Sequence, residues 1–114
     1  MQTAVVQRVM TGVTDITIDM IVARLREIAP AIRAEGVTRL AVFGSRARGD
    51  ARPGSDLDVL LEHAPRPSGG PFFDLFKVMH MIEDTVGLRT HISTPDELTP
   101  RIGERMADDL IEVF

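Results

Sequence analysis

The chain has no cysteine, no tryptophan and no tyrosine; five phenylalanines supply all its benzene rings, and Lys77 is its sole lysine. Without cysteine, disulfides and thiolate metal sites are both excluded. A cytoplasmic location is the matching expectation. Long apolar runs are also missing, because Asp and Arg interrupt every stretch that could cross a bilayer. The opening residues, MQTAVVQRVMTGVTD, lack the sustained apolar core of a signal peptide, so neither export nor a membrane partner is expected. Positive charge is short as well: the formal net charge is −4. An acidic chain with few aromatics to stack on bases makes a poor general nucleic-acid binder. What positive charge there is comes almost entirely as Arg, whose fork suits phosphate and carboxylate better than an ammonium does.

At 114 residues there is room for one domain with one core. Residues 1–15 show no firm period and read as a flexible arm or an added strand, or as a segment pairing across a homodimer; residues 16–114 form the domain. From Ile18, the apolar positions Ile21, Val22, Leu25, Ile28 and Ile32 recur at helical spacing behind a Thr17 or Asp19 cap. Pro30 predicts a kink, or a break near Ala29. VTRLAVF is short and rich in β-formers, giving a buried strand over 38–43, and DLDVLLE gives a second. HAPRPSGGP is a connector. Phe72, Phe73, Phe76, Met79 and Ile82/Val86 then mark an amphipathic helix stopped by Gly87, with the phenylalanines read as core. LRTHIS is a third strand, and Thr94-Pro95 leads into a last helix over about 98–112 whose mixed charges suit a solvated face. Helix, strand, strand, helix, strand, helix describes an α/β (α+β) domain with a small mixed sheet flanked by helices.

The connection over 44–55 is too short for a crossover helix and too long for a tight hairpin, and loops of that kind tend to carry function. On a strand, Asp56 and Asp58 point the same way, about 6–7 Å apart, while Leu57, Val59 and Leu61 enter the core. Two carboxylates on one face repel, and a divalent cation removes the conflict; Mg²⁺ prefers carboxylates together with substrate phosphates over an all-protein cage. Gly44 after a strand lets backbone N–H groups approach an anion, and Ser45 adds a hydroxyl. Arg46, Arg48 and Ser55 complete a set suited to a polyphosphate tail. Singly, each feature is ordinary: a Gly-Ser turn caps helices, an Asp-x-Asp pair ends solvated strands, and surface Arg residues make modest ion pairs. Their combination in one strand–loop–strand unit is what carries the signal.

GSRARGDARPGSDLDVLL resembles the signature of the DNA-polymerase-β-like nucleotidyltransferases: Gly-Ser, ten residues, then Asp-x-Asp. Within that superfamily the chain looks like the minimal nucleotidyltransferase (MNT) family. The resemblance implies the polymerase-β-like nucleotidyltransferase fold, with Gly44 and Ser45 on the triphosphate and Asp56 and Asp58 on Mg²⁺. It further implies transfer of a nucleoside monophosphate, from ATP as the expected donor, to an acceptor hydroxyl with release of pyrophosphate. Many family members are antitoxins of HEPN-type ribonuclease toxins, and some adenylylate that partner on tyrosine.

One position departs from the family pattern. A third carboxylate ordinarily comes from the next strand, just before Thr-Pro; here, in RTHISTPDEL, His91 stands in its place, with Thr90 and Ile92 facing the core. Three readings follow. His91 serves as general base or as a nitrogen ligand, the latter favouring Mn²⁺ over Mg²⁺. Alternatively the site is weakened, and the chain binds and neutralises a partner without transfer. Or another acid, Glu62 or Asp50, reaches the site instead. His63 and His80 lack metal-ligand spacing to each other and to His91.

Overall fold

The computed structural model describes residues 16–65 and 73–114. The expectations for residues 1–15 and for Phe72 lie outside the described residues.

Helix α1 spans Ile18–Glu27, and the Thr17 hydroxyl accepts from the Met20 N–H at 3.2 Å, satisfying one of its orphan donors. Its inward face carries Ile21, Val22 and Leu25. The expected interruption falls at Ile28, and α2, Ala29–Ala34, starts directly after it. Pro30 lies in the first turn of α2, where its missing N–H costs nothing, so it starts a helix instead of bending one.

Strand β1 (Val37–Phe43) runs into a single short helix, α3 (Gly44–Arg48), and the chain returns as β2 (Leu57–His63). After α4 (Leu75–Val86), β3 (Thr90–Ser93) adds to the sheet; a 3₁₀ turn at Pro95–Glu97, α5 (Pro100–Asp109) and β4 (Ile111–Glu112) finish the chain. The strand order is β3-β2-β1-β4. β2 pairs antiparallel with β1 and parallel with β3, and β4 pairs antiparallel with β1, so the sheet is mixed.

Register sorts every strand residue onto one of two faces. Leu40 faces Leu61 and Val42 faces Val59, with Thr90 and Ile92 beside Leu57 and Val59. This face is sealed by α1, α2 and α4: Leu40, Val42, Leu57, Val59 and Leu61 are fully buried with Ile21, Leu25, Ile32, Val78 and Ile82. Each such side chain is worth roughly 1.5–3 kcal/mol in burial. On the opposite face, Ala41 and Leu60 lie under Met106 of α5. The residues at the two ends of that face are polar: Asp58 with His91 at one, Arg39 with Glu62 at the other.

Two expectations are corrected. The last helix stops at Asp109, and residues 111–112 form a strand on the β1 edge. Backbone bonds between Leu40 and both Val113 and Phe114 continue the pairing, while Arg26 donates to the carbonyls of Glu112 (3.0 Å) and Val113 (3.2 Å). Phe76 is not core; it is 69% exposed. The buried stripe of α4 is Val78, Ile82 and Val86; Phe73, half-buried, packs against the core as expected and also stacks on the His63 ring with centroids 4.2 Å apart. As expected, Gly87 ends α4, in the left-handed region at φ +74°.

Candidate active site

The site is built where β1 ends. Gly44 adopts φ +80°, and a Cβ placed there would fall 2.5 Å from Asp58 Oδ2. Both facts demand glycine: L side chains avoid this backbone region, and the carboxylate occupies the space. The turn is therefore shaped around Asp58.

Asp58 sits in the middle of a row. Its partner across the antiparallel pair is Phe43, and across the parallel pair it is His91. Residues so paired share a face. His91 is exposed, with its neighbours Thr90 buried and Ile92 half-buried, so the alternation expected for this strand is present. Asp56 precedes β2, is exposed, and acts electrostatically on Asp58. Burial pushes the Asp58 carboxyl above the ordinary carboxylate range; His91 opposes that shift, Asp56 adds to it, and Arg48 opposes it. A partly desolvated carboxylate beside a second one is a ground state that a cation would relieve.

Among the described residues, no three His, Cys, Asp or Glu side chains converge on a metal position. Two carboxylates, Asp56 and Asp58, are too few for an all-protein cage and would suit a hard cation such as Mg²⁺ only if substrate phosphates supplied further oxygens. The two other candidate acids are engaged elsewhere. Glu62 pairs with Arg39 at 2.9 Å, and Asp50 pairs with Arg48 at 3.1 Å.

The loop over 44–55 uses its polar residues on itself more than the sequence suggests. Arg46, expected as an open cation, is 4% exposed, and its Nε and Nη2 donate to the Ser55 carbonyl at 3.1 and 2.8 Å. The Ser55 hydroxyl accepts from the Arg52 N–H at 3.1 Å. Arg46 and Ser55 thus lock α3 against the start of β2, holding Gly44 and Asp58 in register. Arg48 stays on the open side, donating to Asp50 and, at 2.8 Å, to Asp109 of α5. Ser45 is half-buried in the first turn of α3.

Between α3 and α5 lies an open cleft of about 220 Å³, lined by Phe43, Gly44, Arg48, Arg105, Met106 and Asp109. Arg105 has no local signal in the sequence: its stretch reads as a mixed-charge helix face, and only the packing of α5 against β1 and α3 brings it to the Gly44 turn.

Known proteins with related sequences and structures were found by comparison. The family model "Nucleotidyltransferase domain" matches residues 22–111. A Methanocaldococcus jannaschii protein described as a protein adenylyltransferase is 28% identical over 78% of this chain and 92% of its own length. The protein adenylyltransferase MntA of Thermococcus cleftensis is 31% identical over 68% of this chain and 76% of its own. A solved structure described as a minimal nucleotidyltransferase superimposes with a TM-score of 0.68 at 30% identity, covering 86% of this chain and 97% of that one. For fold alone, a complex of Shewanella oneidensis tri-AMPylated HEPN toxin with MNT antitoxin contains a chain matching at TM-score 0.55 and 10% identity, over 83% of this chain and 72% of that one. The matched span runs from α1 to the first residue of β4, taking in the Gly44 turn, Asp58 and His91, and the chain belongs to the nucleotidyltransferase family of transferase enzymes, in its minimal branch.

Proposed function

We propose that the chain transfers AMP from ATP to a hydroxyl of a partner protein, and that this partner is a HEPN-type toxin for which the chain is the antitoxin. The observation that carries the reading is the fit of Gly44 around Asp58, which sets a half-buried carboxylate beside a turn whose backbone can approach phosphate. Two relatives described as protein adenylyltransferases support a protein acceptor, and the fold shared with an MNT antitoxin supports the toxin.

In the reaction, the acceptor oxygen forms a bond to the α-phosphorus while the bond from that phosphorus to the bridging oxygen breaks, and pyrophosphate leaves with the electron pair. Gly44 and Ser45 orient the triphosphate. Mg²⁺ held by Asp56 and Asp58 with the phosphates would supply positive charge at the reacting phosphoryl group. His91 would take the hydroxyl proton on a ring nitrogen, a role supported by its exposure and its register with Asp58.

The test is incubation of the chain with ATP labelled at the α-phosphate, Mg²⁺ or Mn²⁺, and a HEPN-type protein from the same gene neighbourhood. Label should appear on the partner and should depend on Asp58. A second reading, neutralisation by binding alone, is favoured by His91 standing where the family carries an acid. Formation of a tight, inhibited complex that never takes up label with either metal would select it.

A further inference from the structure

The cleft between α3 and α5 contains two guanidinium groups in different electrical states. Arg48 is already matched by Asp50 and Asp109. Arg105 lies one turn before Asp109 on α5, is exposed, and has no ion pair or hydrogen bond among the described residues. We propose that Arg105 binds the triphosphate, holding the β- and γ-phosphates that depart as pyrophosphate.

This assignment deepens the nucleotidyl-transfer reading and rests on it. Position is the first argument. Phe43 and Gly44 line the cleft; Phe43 is the strand partner of Asp58, and Gly44 has no room for a Cβ because of Asp58. The cleft therefore adjoins the turn packed against Asp58, the carboxylate that would hold a cation at the α-phosphate. Charge is the second. With Arg48 held by two carboxylates, Arg105 is the surplus positive charge the cleft offers a polyanion among the described residues. A guanidinium fork can grip two phosphate oxygens at once, which a single point charge cannot. Chemistry is the third. As the bond from α-phosphorus to bridging oxygen breaks, negative charge grows on the leaving pyrophosphate, and a fixed cation there favours the transition state over the ground state.

Phe43 and Met106 give the same cleft an apolar wall, so a nucleobase is the competing occupant. Titration calorimetry on the full chain separates the two, using inorganic tripolyphosphate, ATP and AMP against wild type, Arg105→Ala and Arg105→Lys. Tripolyphosphate and ATP should each bind Arg105→Ala about tenfold more weakly, with AMP unchanged and partial recovery in Arg105→Lys. Unchanged melting temperatures would show that the fold is intact. Wild-type affinity for tripolyphosphate in Arg105→Ala overturns the proposal, and loss of AMP and ATP binding with tripolyphosphate untouched overturns it in favour of a base subsite. A wild-type chain that binds neither ATP nor tripolyphosphate removes the nucleotide reading and this proposal together, which distinguishes that failure from one confined to Arg105.

Discussion

The two faces of the sheet are made from the same strands and differ in almost everything else. On one, Leu40, Val42, Leu57, Val59 and Leu61 are fully buried against three helices. On the other, α5 covers only the middle, at Ala41 and Leu60, and leaves Asp58 with His91 at one end and Arg39 with Glu62 at the other. Period-two alternation makes this division unavoidable: each residue step along β2 changes face, so the strand that anchors the core also presents the carboxylate. Stability comes from one face, and the other holds a carboxylate that burial disfavours.

Asp58→Asn breaks the comparison most sharply, and its two effects run in opposite directions. Transfer should fall by about 10²–10³-fold, the scale for loss of a central electrostatic group. Stability should rise at neutral pH in metal-free buffer. The sign follows from linkage: burial raises the Asp58 carboxyl in the folded state, so the wild type is fully relieved below the unfolded-state value and loses that relief as pH rises through the raised one. The stabilisation by Asn should therefore be largest above that window and vanish in acid. Thermal melts of both proteins across pH check it, and a neutral-pH melting temperature below wild type refutes it. Leu61→Ala is the counterpart on the sealed face. It should cost about 2–5 kcal/mol in chemical denaturation, with the surviving folded fraction keeping its activity per molecule.

What could be read from the sequence follows the same division between local and distant causes. The Gly44 turn, the outward Asp58 and the inward Leu57, Val59 and Leu61 were legible because strand alternation and turn geometry are settled within residues 44–61. His91 was legible because its neighbours Thr90 and Ile92 mark the inner side. Arg46 was not: its burial depends on the Ser55 carbonyl, an acceptor that belongs to the shape of the loop and to no side chain. Nor was β4, whose short run looks like the continuation of a charged helix until Leu40, Arg26 and Arg39 are brought to it from far along the chain. Phe76 misled by its identity, since a large aromatic invites burial, whereas the faces of α4 are set by Val78, Ile82 and Val86. Arg105 needed the docking of α5 before it meant anything.

His91→Asp sharpens the open face without touching the sealed one. If His91 stands in for an acid beside Asp58, the substitution should raise transfer on the order of tenfold, about 1.4 kcal/mol in the barrier, and shift preference from Mn²⁺ toward Mg²⁺. Initial rates with each metal measure it. Equal or lower turnover, with the same melting temperature as wild type, would mean that His91 does not occupy the acid's position.

The smallest effect is expected at the far end of the open face, where Arg39 joins three strands. It donates to Glu62 of β2 at 2.9 Å and grips Glu112 of β4 through both Nε and Nη2. Hydrogen bonds from Arg39 hold the Glu112 carboxyl below its ordinary range. A lowered carboxylate stabilises the fold above its unfolded-state value and loses that contribution as pH falls through the folded one. Both partners are more than a third exposed, so solvent screening keeps the pair below about 1 kcal/mol. Glu112→Gln should accordingly lower the melting temperature slightly at neutral pH, converge on wild type in acid, and lose most of its effect in high salt. Because β4 has only two residues and is also pinned by backbone bonds from Val113 and Phe114 to Leu40, the strand should stay in place. Hydrogen exchange at the Val113 amide would report its release, and rapid exchange there in Glu112→Gln would show that the ion pair, not the backbone ladder, holds β4 to the sheet.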